Sequence, residues 1–111
     1  MDEHHLKLLK ELSNDHTVSQ RELSKKLGFS LGKVNYLVNA LLDKGLVKAE
    51  RFKNAKNKLA YTYLLTPMGI SMKAKLTYSF LKRKIGEYDA LKLEIEELKK
   101  DMDLIKNGKQ L

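Results

Sequence analysis

The sequence predicts a mainly α chain with one small β-hairpin: three short helices, the hairpin, then a long carboxyl-terminal helix. Three observations carry this. Two amphipathic stretches are separated only by Gly28-Phe29-Ser30, a short Gly-containing turn between helices. Leu59, Tyr61, Tyr63 and Leu65 alternate as one face of a strand. From Tyr88 onward, apolar residues recur at heptad spacing. A length of 111 residues suits one ordinary domain, or a smaller one with an appendage.

The first helix is expected over Asp2 to Leu12, with Leu6, Leu8, Leu9 and Leu12 at helical spacing and Ser13-Asn14-Asp15 marking its end. The second has a full start signal. Ser19 to Glu22 reads S-x-x-E, a capping box, and Val18 before the cap can pair with Leu23 as a hydrophobic staple. Leu23 and Leu27 face inward, and Gly28 stops the helix.

Ser30 is a good N-cap for the third helix, and Phe29 stands in the staple position relative to Val34. Val34, Leu37, Val38, Leu41 and Leu42 define a single buried face. The opposite face carries Gly32, Tyr36, Asn39 and Asp43, flanked by Lys33 and Ala40. It is nearly free of acid. Gly32 is unfavourable in an exposed helix turn by up to about 1 kcal/mol relative to Ala, unless something must approach the backbone there.

Gly45 ends this helix, and two strands follow, Leu46 to Lys53 and Leu59 to Leu65, with Asn54-Ala55-Lys56-Asn57 between them. The hairpin bears Lys48, Arg51, Lys53, Lys56 and Lys58 against the single acid Glu50. Thr66 then serves as N-cap and Pro67 as first helical residue of a helix reaching about Ile105, with Gly86 the place where it bends most readily. Tyr88, Ile95 and Met102 fall at a positions, and Leu91, Leu98 and Ile105 at d. The g positions Glu87, Glu94 and Asp101 are acidic and the e positions Lys92, Lys99 and Lys106 basic. In a parallel pair of helices every g would meet an e of opposite charge. The seam therefore predicts a homodimer through a parallel coiled coil.

Charge separates the chain into two parts. The net charge is +8, but residues 1–84 carry 17 Lys and Arg against 7 Asp and Glu, and residues 85–111 carry 5 against 7. A basic body suits a polyanion. With no cysteine there is neither a disulfide framework nor a thiolate metal site. No apolar run approaches a membrane span and the amino terminus is polar, so a cytoplasmic location and no membrane partner are expected.

Catalytic signatures are missing. His4 and His5 project in different directions from a helix and complete no metal site, and His16 stands in a loop without a sequence partner. Gly28 to Gly32, Gly-Phe-Ser-Leu-Gly, is better explained as a turn between helices than as a phosphate loop or nucleophile elbow. The expectation is a non-enzyme, with no catalytic residue, metal or cofactor.

A helix-turn-helix followed at once by a basic hairpin is the pattern of a winged helix-turn-helix, in which the second helix of the motif enters the major groove of double-stranded DNA and the wing meets flanking backbone. Candidate DNA contacts are Gly32, Lys33, Tyr36 and Asn39 on the third helix and Arg51, Lys53, Lys56 and Lys58 on the wing. Gln20 and Arg21 are candidate phosphate contacts, because a helix amino terminus presents free N–H groups and positive dipole.

The run VSQRELSKKLGFSLGKVNYLVNALLDKGLVK, the wing, and the closing YLLTPMG segment, about Val18 to Gly69, resemble the winged helix-turn-helix domain of MarR-family transcriptional regulators. More narrowly, the chain looks like a small subgroup of that family associated with bacterial exopolysaccharide gene clusters. The resemblance implies a sequence-specific regulator, with Ser30, Gly32, Lys33 and Tyr36 where the family approaches base edges and backbone. The combined expectation is a DNA-binding domain over residues 1–69 and a dimerisation helix over 70–111, acting as a homodimer on a pseudo-palindromic operator. The alternative is a winged-helix module that binds a protein partner and not DNA.

Overall fold

Every helix of this chain needs partners for the free N–H groups of its first turn, and polar residues just ahead of the helices supply them. The computed structural model describes residues 1–15, 17–53 and 59–108, with residues 51–53, 59 and 60 described by backbone alone. Helix α1 spans Glu3–Asn14. Asp2 accepts from the backbone N–H of His4 at 3.0 Å and of His5 at 3.2 Å. The His5 ring lies 2.8 Å from the same carboxylate. That hydrogen bond, with the backbone donors, lowers the Asp2 carboxyl to about 2.

Helix α2 spans Gln20–Leu27 and α3 spans Leu31–Asp43. Ser19 Oγ accepts from Glu22 N–H at 3.1 Å and donates to the Glu22 carboxylate at 3.3 Å. The expected capping box thus closes side chain to side chain, because a hydroxyl can donate and accept at once. Gly28 takes a left-handed φ of 71°, which lets the chain turn within three residues; Ser30 Oγ then accepts from Lys33 N–H at 3.1 Å and starts α3. At the far end of α3, Gly45 N–H donates to Leu42 O and Leu46 N–H to Leu41 O, at 3.1 and 3.0 Å, a Schellman closure. It places Leu46 in the core.

Strands β1 (Val47–Lys53) and β2 (Leu59–Leu65) form a two-stranded antiparallel sheet, in register from Val47 opposite Leu65 to Lys53 opposite Leu59. Along the alternating face of β2, Tyr63 is buried, Leu65 half-buried and Tyr61 exposed. The core joins Leu8, Leu9 and Leu12 of α1, Leu23 of α2, Val34, Leu37, Val38 and Leu41 of α3, and Val18, Leu46, Val47 and Tyr63. Leu42, expected on the buried face, is only partly covered. Each fully buried Val or Leu contributes about 1.5–3 kcal/mol of transfer free energy.

Helix α4 spans Pro67–Lys106 and passes through Gly86 without interruption. Residue contacts divide the chain into two units, Met1–Thr77 and Tyr78–Leu111. The first holds the three helices, the hairpin and the start of α4, where Met72 and Leu76 cover part of the core. Gly69 lies against the Leu46 carbonyl so closely that a methyl group there would overlap it. In the second, the rest of α4 is exposed from Leu81 to Lys106. No described helix is long and apolar enough to cross a membrane.

Candidate nucleic-acid interface

Because Val34, Leu37, Val38 and Leu41 turn into the core, α3 presents the opposite face outward. Tyr36 is 73% exposed there, with its ring and hydroxyl both open to solvent. Asn35, Asn39 and Gly32 are exposed beside it. A methyl group at Gly32 would meet nothing within 4 Å. Packing within the chain therefore does not explain this glycine.

The amino-terminal ends of α2 and α3 converge on an open groove of about 590 Å³ lined by Ser19, Gln20, Arg21, Leu31, Gly32 and Asn35. Gln20, Arg21 and Gly32, expected at the interface, thus line one groove, while Ser30, the cap of α3, is not among its lining residues. Arg21 is exposed. Gln20 is not simply solvated. Its amide donates to Tyr63 Oη at 3.2 Å and accepts from Asn35 Nδ2 at 3.2 Å. Asn39 Nδ2 in turn donates to Asn35 Oδ1 at 3.1 Å.

Lys33 is half-buried, with Nζ 4.4 Å from the centre of the Phe29 ring, and that ring lies 4.8 Å from the ring of His4. A cation over an aromatic face is held in direction without losing its charge. On the wing, Arg51 and Lys53 stand on β1 opposite Tyr61 and Leu59; their side chains, and Lys56 and Lys58 altogether, lie outside the described residues. His16 does too. Lys48 pairs with Glu50 at 3.1 Å, so part of the hairpin's positive charge is neutralised locally.

Sequence reasoning missed Asn35. The available signal was its spacing, since amides at i and i+4, Asn35 and Asn39, are neighbours on a helix surface. Among the described residues, no three His, Cys, Asp or Glu side chains gather as a metal site.

Residues 1–48 match the family model for winged helix-turn-helix DNA-binding domains. The fold is a winged helix-turn-helix. Among solved structures, this winged helix-turn-helix chain is similar to a MarR/EmrR family transcriptional regulator from Acinetobacter sp. ADP1, with a TM-score of 0.61 and 20% identity over 93% of this chain and 77% of that one. It is also similar to a mutant of MarR from E. coli, TM-score 0.60 and 23% identity over 92% and 78% of the two chains. A mutant of MepR from S. aureus bound to an oligodeoxyribonucleotide gives 0.55 and 23% over 95% and 75%. A comparison with curated protein sequences gave no match.

Proposed function

We propose that the chain is a sequence-specific, DNA-binding transcriptional regulator acting as a homodimer. Helix α3 enters the major groove, the wing follows the flanking backbone, and the heptad seam of α4 joins two copies. The observation that carries the reading is the outward face of α3: an exposed Tyr36, an open Gly32 and exposed amides, set beside Arg21 at the start of α2. Such a face suits base edges, and a helix amino terminus with an adjacent Arg suits a phosphate. The winged helix-turn-helix match over residues 1–48 and the likeness to a DNA-bound structure support it.

The dimer is supported by α4. Tyr88, Leu91, Ile95, Leu98, Met102 and Ile105 are between 44% and 65% exposed in the single chain. A seam of that length left in water favours a second copy. The exopolysaccharide association enters as a proposed class of target genes, from the resemblance alone.

Selection of bound sites from a random duplex library, with titration at several salt concentrations, tests the reading. The expected result is a pseudo-palindromic site and affinity that falls steeply with salt. Failure to bind duplex DNA under any salt condition would leave the protein-interaction alternative standing.

A further inference from the structure

Three hydrogen bonds run in one direction across the candidate interface. Asn39 donates to Asn35, Asn35 donates to Gln20, and Gln20 donates to the hydroxyl of Tyr63. The far end is anchored, because Tyr63 is 6% exposed and belongs to the core. The near end is on the open face of α3. An Asn amide offers two N–H donors and an oxygen with two lone pairs. Among the described residues, Asn35 uses one N–H on Gln20 and one lone pair on Asn39, and retains one of each.

One remaining donor beside one remaining acceptor is the complement of a particular base edge. In the major groove adenine presents an N6 donor next to the N7 acceptor, whereas guanine presents two acceptors there. Asn35 also lines the groove between the starts of α2 and α3, next to Gly32, where the backbone is bare. We propose that Asn35 selects adenine in the bound site, and that Gln20 and Asn39 are positioning residues that fix its amide, with Tyr63 tying Gln20 to the core. The inference rests on the DNA-binding reading above and adds to it one base and one residue. It also gives Gln20 a role different from contact with a phosphate. A side chain held in advance does not have to be ordered on binding, which favours discrimination as well as affinity.

Sites selected from random duplexes by the natural chain, N35A, N35D and Y63F test it. The natural chain should require an A·T pair at one position of each half-site, with a penalty on the order of tenfold for replacing it. N35A should lose that requirement while keeping its salt-dependent affinity. N35D, which can only accept, should shift the preference at that position toward cytosine, whose N4 group donates. Y63F retains the ring and should blunt the same preference with no change in salt slope. Each variant's circular dichroism and melting temperature report whether it is folded. If the natural chain selects a site and N35A selects the same one, this inference is overturned and the proposed function survives. If the natural chain does not bind duplex DNA, both are overturned.

Discussion

The Thr66 hydroxyl donates to the carbonyl of Gly45, 21 residues earlier in the chain. Thr66 N–H also donates to Leu46 O at 3.0 Å, and its Oγ accepts from Gly69 N–H at 3.1 Å. One side chain therefore caps α4 and fastens it to the turn that follows α3. Gly69 completes the fit by resting against the Leu46 carbonyl. Thr66→Val should lower stability by about 0.5–2 kcal/mol, the range for loss of an N-cap. Gly69→Ala should be worse, because the methyl group meets backbone that has no other place to go. Gly86→Ala meets nothing and should be neutral or stabilising by up to about 1 kcal/mol. Urea denaturation of the three variants gives the ranking, and an undisturbed Gly69→Ala variant would contradict the close fit.

Gly32→Ala should move stability and binding in opposite directions. The added methyl has free space in the chain, and Ala favours helix by up to about 1 kcal/mol over Gly. If the DNA backbone or a base edge comes up to Gly32, the same methyl lowers affinity. A higher melting temperature with weaker duplex binding is the expected pair of results; unchanged binding would mean that nothing approaches there.

Tyr36 and the wing should separate by the kind of loss they cause. Tyr36→Ala, on the outward face of α3, should alter the preferred sequence, by about 1–3 kcal/mol of discrimination for a base-edge contact. Lys33, held over Phe29, should contribute to the same preference. Replacing Lys53, Lys56 and Lys58 with Gln should weaken binding to all sequences and flatten the dependence on salt. Site preference unchanged by removal of both Lys33 and Tyr36 would remove them from the reading face.

Legibility in the sequence followed the range of the interactions. Ser19, Gly28, Ser30 and Thr66 could be placed because a cap bonds within a few residues of itself, and that spacing is visible in one dimension. The inward face of α3 was legible for the same reason, since helical period sorts Val34, Leu37, Val38 and Leu41 without knowledge of what covers them. Gln20 to Tyr63 spans 43 residues, and no local pattern relates an amide at the start of α2 to a hydroxyl on β2. The contact of Gly69 with Leu46 is likewise set by how α4 leaves the hairpin.

Acid should weaken the start of α1 in a defined window. The Asp2 carboxyl is lowered from 3.8 to about 2 in the folded chain, first by its hydrogen bond with His5. A lowered carboxyl binds its proton less tightly when folded than when unfolded, so its contribution is present above pH 3.8 and disappears as pH falls toward 2. Asp2→Ala should remove that part of the acid dependence and leave the rest of the profile. Amide exchange in the first turn of α1, followed between pH 5 and about 2, would show it; equal protection in both proteins across the window would contradict the cap.

The orientation of the proposed dimer follows from the charges beside the seam. In a parallel pair, Glu87 faces Lys92 of the other copy, Glu94 faces Lys99, and Asp101 faces Lys106; an antiparallel pair would set acid against acid and Lys against Lys. Glu87 is already engaged within its own helix, 3.2 Å from Lys84 and 3.9 Å from Arg83. Glu94, Lys99, Asp101 and Lys106 make no ion pair within the chain among the described residues. The two lower pairs should therefore carry the preference, although each exposed pair is worth only about 0–1 kcal/mol. Glu94→Lys should weaken self-association in sedimentation equilibrium, and Lys99→Glu added to the same chain should restore it. Since the chain has no cysteine, a single Met102→Cys places one thiol at an a position. Two such thiols meet in a parallel dimer and should oxidise readily to a disulfide-linked pair. A monomer at operator-binding concentrations, or a dimer that resists this crosslink while the charge swap has no effect, would reject the parallel arrangement.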